Sequence, residues 1–99
     1  KNLNIIIDRN RFGVIGETEK MLKLEPLIDK FKSFINETEE INGHSYDQLR
    51  NVFSKNNPQV VIANTIKGKG VSYMEGNWKY HTIIPSSQKD IEIGLEELS

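Results

Sequence analysis

Residues 60–70 read Val-Val-Ile-Ala-Asn-Thr-Ile-Lys-Gly-Lys-Gly, an apolar, mostly β-branched run followed by a polar loop with two glycines. A short run of this kind is typical of a strand that is buried on both faces, as in a parallel sheet. Ligands of open α/β sheets bind at the carboxyl ends of the strands. The loop after residue 65 is therefore a candidate functional site.

The rest of the chain alternates between the apolar period of strands and that of helices. This β-α-β-α-β-α order predicts a partial parallel-sheet α/β fold of about three β-α units. The polar residues of the second strand are typical of an edge strand. The predicted elements are strands at 3–7, 36–41 and 59–65, helices at about 25–34, 46–54 and 88–98, and a polar turn at 8–16.

Three helix starts carry recognisable signals. Ser45 with Gln48 and Ser87 with Asp90 have the spacing of a capping box. Pro26 suits the first turn of a helix, because that position needs no N–H donor. These signals support all three predicted helices.

Two features define the ends and faces of these helices. Residues 56–58, Asn-Asn-Pro, are expected to stop the helix at 46–54. The last helix has an apolar face of Ile91, Leu95 and Leu98. Gly94 lies within that helix and weakens it by about 1 kcal/mol relative to alanine.

The composition sets loose bounds on the function. Ninety-nine residues make at most one domain, and 36% hydrophobic residues allow a modest core. A net charge of −1 argues against a nucleic-acid surface, and the absence of cysteine excludes disulfides and thiolate metal sites. No apolar run approaches the roughly 20 residues that span a bilayer, and we expect no secretory signal at Lys1. We expect a cytoplasmic protein that binds neither nucleic acid nor membrane.

Residues 65–75, Thr-Ile-Lys-Gly-Lys-Gly-Val-Ser-Tyr-Met-Glu, resemble the transketolase family of thiamine diphosphate enzymes. In that family a strand leads through such a loop and a Met-Glu pair to an active-site histidine. The resemblance implies that His81 is catalytic, contacting the cofactor's phosphate end and the donor sugar and moving protons; imidazole suits this work because its pKa is near neutrality. Thr82 replaces the family's usual glycine. The alternative is a surface-loop histidine.

Residues 5–16, Ile-Ile-Ile-Asp-Arg-Asn-Arg-Phe-Gly-Val-Ile-Gly, carry the second signal. Taken alone, Asn10 is either a turn former or a neutral oxygen ligand for a hard divalent cation. The resemblance implies that Asn10 binds Mg²⁺ (or Ca²⁺) and the diphosphate through its side chain. It also implies that Phe12 binds the metal through its carbonyl oxygen and that Val14 packs near the cofactor.

The chain departs from the family pattern within residues 5–16. Ile15-Gly16 stands where Asp-Gly is common, and Arg11 and Gly13 are unusual. The 99 residues also lack the Gly-Asp-Gly that opens the family's cofactor signature, and its aspartate supplies a charge that magnesium and diphosphate require. We therefore expect the protein to extend N-terminally beyond Lys1.

The resemblance covers essentially residues 1–99 and is strongest to transketolases split into two polypeptides. It implies the C-terminal part of a thiamine diphosphate-binding domain. The implied reaction moves a two-carbon ketol unit between sugar or sugar-phosphate substrates, with the cofactor as electron sink. The implied partner is a pyrimidine-binding domain or subunit, in a homodimer or heterotetramer. The 99 residues alone are expected to be inactive, with strands 3–7 and 60–63 adjacent in a sheet that other polypeptide continues.

Several alternatives stay open. Another thiamine diphosphate enzyme, resembling deoxyxylulose phosphate synthase or an acyl-transferring relative, would keep Asn10 and His81. A non-enzymatic α/β interaction module is favoured if the native chain starts at Lys1. The loop at 67–70 lacks the pattern of a nucleotide-binding loop and would shape a channel, or its lysines are simply solvated. His44 is expected to have a structural part.

Overall fold

The computed structural model describes residues 3–56 and 58–99, with the backbone alone at 55 and 56. The chain forms two compact units, Lys1–Asn10 with Leu24–Thr65 and Arg11–Lys23 with Ile66–Ser99. In chain order the elements are β1 (Ile5–Arg9), β2 (Phe12–Gly13), β3 (Gly16–Glu17), α1 (Thr18–Met21), α2 (Leu27–Lys32), β4 (Thr38–Asn42), α3 (Tyr46–Asn51), a π-helix (Val52–Asn56), β5 (Val60–Asn64), a 3-10 helix (Trp78–His81) and α4 (Gln88–Leu98).

The first unit contains a parallel sheet with the strand order β1-β5-β4. Val60 of β5 is in register with Ile5 of β1 on one side and with Thr38 of β4 on the other. The predicted parallel α/β fold and the pairing of the first strand with the third are confirmed. Within the described residues, β4 lies at one side of this sheet, and its predicted edge position stays a prediction.

Strand β5 is the centre of the core. Val60, Val61 and Ile62 are at most 1% exposed, because a strand flanks each edge of β5 and both of its faces are covered. On one face, Val61 packs in a cluster whose other members come from β4, the α3 region and β5 itself. These members are Ile41, Leu49, Val52, Phe53 and Ala63. The prediction that residues 60–63 form a strand buried on both faces is confirmed.

Strand β1 differs from its predicted bounds. It runs through Asp8 and Arg9, which the sequence placed in a turn, because these residues continue the parallel register opposite Ala63 and Asn64. The prediction of a turn from residue 8 onward is wrong at these two positions. The reason is that pairing with an already ordered neighbour strand overrides the low strand propensity of aspartate.

The helices of the first unit follow their predicted caps closely. The N–H of Gln48 donates to Ser45 Oγ at 3.3 Å, as predicted, whereas Gln48 Oε1 accepts from the N–H of Asn42 instead of completing the box. Pro26 is the N-cap of α2 and so lies one residue before its first turn. The π-helix continues α3, and the predicted stop signal at 56–58 includes Asn57, which lies outside the described residues.

The second unit contains a small antiparallel hairpin, β2–β3, that the sequence did not predict. Its turn consists of Val14 and Ile15, which lie within the predicted polar turn at 8–16. Hairpin turns are usually recognised by Asn-Gly or similar pairs, and two apolar residues carry no such signal.

Helix α4 begins at its predicted cap, with the N–H of Asp90 donating to Ser87 Oγ at 3.0 Å. Its predicted apolar face is exposed in the second unit: Leu95 and Leu98 are 66% and 64% accessible. The buried position is Gly94, where an added Cβ would lie 3.1 Å from the Tyr73 hydroxyl. The helix thus packs through its glycine, which lets the preceding loop approach closely.

Candidate functional site

The carboxyl ends of β1, β5 and β4 carry a polar cluster centred on Arg9. The Arg9 side chain is only 12% exposed and forms an ion pair with Glu25. Its Nη1 donates to Asn64 Oδ1 at 2.6 Å and lies 3.6 Å from Glu40 Oε1. Asn64 Nδ2 donates to the same Glu40 oxygen at 2.7 Å. The guanidinium therefore joins all three strands to the segment before α2.

The end of β1 is also fixed by Thr65. The N–H of Thr65 donates to the Arg9 carbonyl oxygen at 3.3 Å, and the Thr65 hydroxyl donates to the Asp8 carboxylate. Asn10 follows directly and is half-buried at the carboxyl edge of the sheet. This is where the sequence predicts a ligand, because parallel sheets bind ligands at this edge.

Arg11 and Phe12 begin the second unit with an unusual backbone. Arg11 has φ of +69°, in the left-handed region that residues other than glycine rarely adopt. The N–H of Thr18 donates to the Arg11 carbonyl oxygen, and hydrogen-bonded pairs alternate with non-bonded pairs in an antiparallel ladder. Phe12 and Glu17 lie opposite each other, one position along from the hydrogen-bonded pair of Arg11 and Thr18, so they form a non-bonded pair. The carbonyl oxygen of Phe12 therefore faces away from β3.

Val14 is in the turn of the hairpin and is 54% exposed. The resemblance places this side chain near the cofactor. An exposed valine at a turn has apolar surface available for such a contact, and its role stays a prediction.

His81 is the last residue of the 3-10 helix and is exposed. This helix lies beside the β2–β3 hairpin. Phe12, on β2, and His81, on the 3-10 helix, therefore belong to neighbouring elements of the second unit. The ring of Tyr80 contacts that of Tyr73 edge to face, with 5.5 Å between centroids. The Tyr73 hydroxyl in turn donates to the Asp90 carbonyl oxygen at 2.8 Å. The helix that carries His81 is thus tied to α4.

Two ionisable groups of this region have shifted pKa values. Burial, and after it the Asp90 carboxylate, raises the pKa of the Tyr73 hydroxyl. Hydrogen bonds from Ser72 lower the pKa of Glu97, whose Oε2 accepts from the Ser72 N–H at 2.7 Å. The second contact ties α4 to the loop that precedes His81.

The loop at 67–70 is closed by the carboxylate of Glu75. Glu75 Oε1 accepts from the Gly70 N–H at 3.0 Å and lies 3.5 Å from the Lys69 ammonium group. An anion-binding loop would offer those donors to a phosphate, and here Glu75 takes them. The loop also requires a glycine at position 68, where φ is +70° and an added Cβ would lie 2.6 Å from the Met74 backbone. These contacts argue against phosphate binding by the loop at 67–70, and its role in shaping a channel stays a prediction.

His44 lies in the turn after β4. Its N–H donates to Asn42 Oδ1 at 2.9 Å, and the Gly43 N–H donates to the Asn64 carbonyl oxygen at 2.7 Å. An added Cβ at Gly43 would lie 2.6 Å from Thr65. The turn thus packs tightly against the end of β5, and His44 is attached to this structural turn.

The four predicted site residues belong to different units: Asn10 to the first, and Phe12, Val14 and His81 to the second. Among residues 3–56 and 58–99, no group of three or more His, Cys, Asp or Glu side chains is placed to hold a metal ion.

Three sequence relatives locate the chain among known proteins. An apulose-4-phosphate transketolase subunit of Phocaeicola vulgatus is 38% identical over 103 residues, which cover 99% of this chain. The subunit of the same name from Actinobacillus succinogenes is 38% identical over 98% of the chain. A 6-deoxy-6-sulfo-D-fructose transketolase subunit of a Clostridium species is 33% identical over 77% of it. The chain belongs to the transketolase family.

This transketolase chain spans 36% of the length of each of the first two relatives and 30% of the third. No protein-family model matches it. In the part of the chain that the structure describes, no helix is long and apolar enough to cross a membrane.

Sequence reasoning did not find the Arg9 cluster of this transketolase chain. Arg9 and Asn64 are 55 residues apart, and neither belongs to a local motif. The available signal was positional: Arg9, Asn64 and Glu40 follow or end predicted neighbouring strands, and the carboxyl ends of parallel strands share one edge of the sheet.

Proposed function

We propose that this chain is part of a thiamine diphosphate-dependent transketolase that transfers a two-carbon ketol unit between sugar or sugar-phosphate substrates. The observation that carries the proposal is the similarity to named transketolase subunits along nearly the whole chain. The matched stretch includes both Asn10 and His81, which the family resemblance assigns to the cofactor. We further propose that residues 1–99 are the C-terminal part of the diphosphate-binding domain.

The residues present fit a part of the cofactor's metal site. Asn10 offers a neutral amide oxygen beside the carboxyl edge of the sheet, and the Phe12 carbonyl oxygen faces away from β3. Magnesium takes six oxygen ligands and is commonly held by one or two carboxylates together with waters and substrate phosphates. Asn10 and Phe12 would supply two neutral ligands, and the rest of the protein and the diphosphate would supply the negative charge.

Thiamine diphosphate, when bound, supplies the electron sink for breaking and forming the carbon–carbon bond. The chain's own residues bind and position. Val14 would offer apolar contact near the cofactor. His81 would contact the phosphate end of the cofactor and the donor sugar and would move protons at the substrate oxygen, which suits an exposed imidazole.

The relatives' names guide the proposal on substrate and partner. Two are named for a sugar phosphate and one for a sulfonated sugar, so all three names describe anionic sugars. We propose an anionic sugar, most simply a sugar phosphate, as substrate. Because the relatives are named as subunits, we also propose a partner domain or subunit that carries the pyrimidine-binding site, in a homodimer or heterotetramer. A cytoplasmic location remains a prediction.

The test is reconstitution of the complete protein, co-expressed with its partner and stripped of cofactor and metal by chelation. Ketol transfer from a ketose phosphate to an aldose phosphate should return only when thiamine diphosphate and Mg²⁺ are both added. A screen that includes pyruvate as donor distinguishes ketol transfer from synthase or acyl-transfer chemistry. A complex that binds thiamine diphosphate but uses only pyruvate would contradict the transketolase assignment, and one that binds no thiamine diphosphate would contradict the family's cofactor for this protein.

A further inference from the structure

The feature that the proposed function leaves unexplained is the nearly buried Arg9 at the end of β1. Its guanidinium contacts three acceptors on three different segments: Asn64 on β5, Glu40 on β4 and Glu25 before α2. Glu25 in turn accepts from the Leu27 N–H at 3.1 Å, at the start of α2. One side chain thus connects the ends of the three strands to the segment before α2.

The register of the sheet explains why these groups meet. Arg9 lies opposite Asn64, and Glu40 lies opposite Ile62, two residues earlier on β5. Alternate residues of a strand point to the same face, so Arg9, Asn64 and Glu40 share one face of the sheet at its carboxyl edge. The parallel pairing of the strands therefore places Arg9, Asn64 and Glu40 together.

Stability alone does not require an arginine at this place. The two carboxylate partners are 40% and 38% exposed, and ion pairs with exposed partners add little to stability. Removing a charged side chain from water opposes even that gain, and apolar replacements of buried ion pairs are often neutral. An arginine does hold its hydrogen-bond acceptors in a fixed geometry, because the donors of the planar guanidinium form one rigid fork.

We propose that Arg9 is a positioning residue that fixes the end of β1, and through it Asn10, for binding of the metal and diphosphate. This inference rests on the proposed function. Its basis is that the Arg9 side chain is held by three segments and its carbonyl oxygen by Thr65, so the peptide that leads into Asn10 has little freedom. Mutation of a group that orients a metal ligand typically lowers the metal affinity by about 10- to 100-fold.

The test uses the complete protein with its partner and measures thiamine diphosphate binding in the presence of Mg²⁺ by titration calorimetry. Arg9→Met keeps the aliphatic stem and removes the fork; it should raise the Kd by about 10- to 100-fold. Arg9→Lys, which keeps the charge, should fall between the parent and Arg9→Met. Lys20→Met, which removes the exposed 2.7 Å ion pair with Glu17, is the matched control and should bind as the parent does.

The decisive measurement is the double variant Arg9→Met/Asn10→Ala. If Arg9 acts through Asn10, the double variant should bind the cofactor no more weakly than Asn10→Ala alone, because residues that act as one unit are not additive. Additive losses would overturn the proposal, as would a parent-like Kd for Arg9→Met. If Arg9→Met fails to fold, Arg9→Lys and its double variant with Asn10→Ala give the same comparison. A parent-like Kd for Asn10→Ala would instead contradict the metal-site assignment, so the two failures are distinguishable.

Discussion

The Tyr73 hydroxyl donates to the Asp90 carbonyl oxygen at 2.8 Å and lies directly over Gly94, where an added Cβ would be 3.1 Å away. This relationship fixes how α4 meets the loop before His81. It also explains why a glycine is present in the interior of a helix, where it costs about 1 kcal/mol relative to alanine.

Gly94→Ala should therefore destabilise the protein, although it improves helix propensity. The hydrogen bond and the ring of Tyr80 hold Tyr73 in place, and overpacking typically costs about 1–3 kcal/mol, more than the propensity gain. Denaturant unfolding should show a net loss of about 1 kcal/mol. In a Tyr73→Phe background the hydroxyl is absent, and the same change should become neutral or stabilising. A loss of equal size in both backgrounds would contradict this explanation.

Asn10→Ala in the complete enzyme should weaken retention of thiamine diphosphate and Mg²⁺ by about tenfold or more, with a small effect on unfolding. The reason is that a ligand is lost from a residue that lies outside β1 and the buried core. Calorimetric titration measures the affinity. Asn36→Ala, at an exposed position before β4, is the control and should titrate like the parent. Unchanged affinity in Asn10→Ala would remove it from the metal site.

His81→Ala should lower kcat by about 10²-fold through lost proton transfer and positioning. The fold should stay intact because the side chain is exposed at the end of the 3-10 helix. Steady-state kinetics with a sugar-phosphate donor and a thermal melt measure both properties. Lys79→Ala, in the same short helix, serves as the control. A parent-like kcat in His81→Ala would leave the histidine as an ordinary surface residue.

Arg11→Gly should stabilise the complete protein by roughly 0.5–1 kcal/mol. Glycine adopts a φ of +69° without the steric cost that an L side chain has there, and this gain exceeds its larger entropy loss on folding. Arg50→Gly, at an exposed position in α3, should instead destabilise by about 1 kcal/mol. Denaturant unfolding of both variants checks the contrast. Destabilisation of similar size in both variants would show that the left-handed conformation carries no strain.

Glu97 should make the packing of α4 sensitive to acid. Its pKa is lowered in the folded state by hydrogen bonds from Ser72, so its stabilising contribution is present above the ordinary pKa of 4.5 and is lost as the pH falls through the lowered value. Glu97→Gln should lower the melting temperature at pH 7 and flatten its decline below about pH 5. Melting curves across this range measure it, with Glu96→Gln as the control. A parallel decline in Glu97→Gln and the parent would contradict the assignment.

The elements that sequence predicted well are those whose signals are local. The run at 60–63 is apolar at every position and became the buried centre of the sheet, and Ser45 and Ser87 cap their helices as expected. The hairpin around Val14 and Ile15 was missed because these two central residues of its turn are neither glycine nor asparagine. Its short strands also leave too few residues for an alternating pattern.

The candidate site was predicted through the resemblance, and its supporting contacts were not. Asn10 and His81 belong to recognisable sequence motifs. The contacts of Arg9 with Glu40 and Asn64 instead depend on a parallel register that only folding creates. Likewise, nothing near Gly94 in sequence indicates that Tyr73 approaches it from a loop. Contacts between distant segments are set by tertiary packing, which local patterns do not report.

The central position of β5 has a consequence during synthesis of the chain. Within the described residues, β1 and β4 both pair with β5, which is the last of the three strands to be made, and Arg9 meets a partner 55 residues later. At about 5–20 residues per second, translation separates the end of β1 from its partner on β5 by roughly 3–11 seconds. Until β5 leaves the ribosome, β1 and β4 both lack this neighbour, and a strand edge without its neighbour can pair with another chain. The rate of translation over residues 10–64 would thus set how long these two strands wait for their common neighbour.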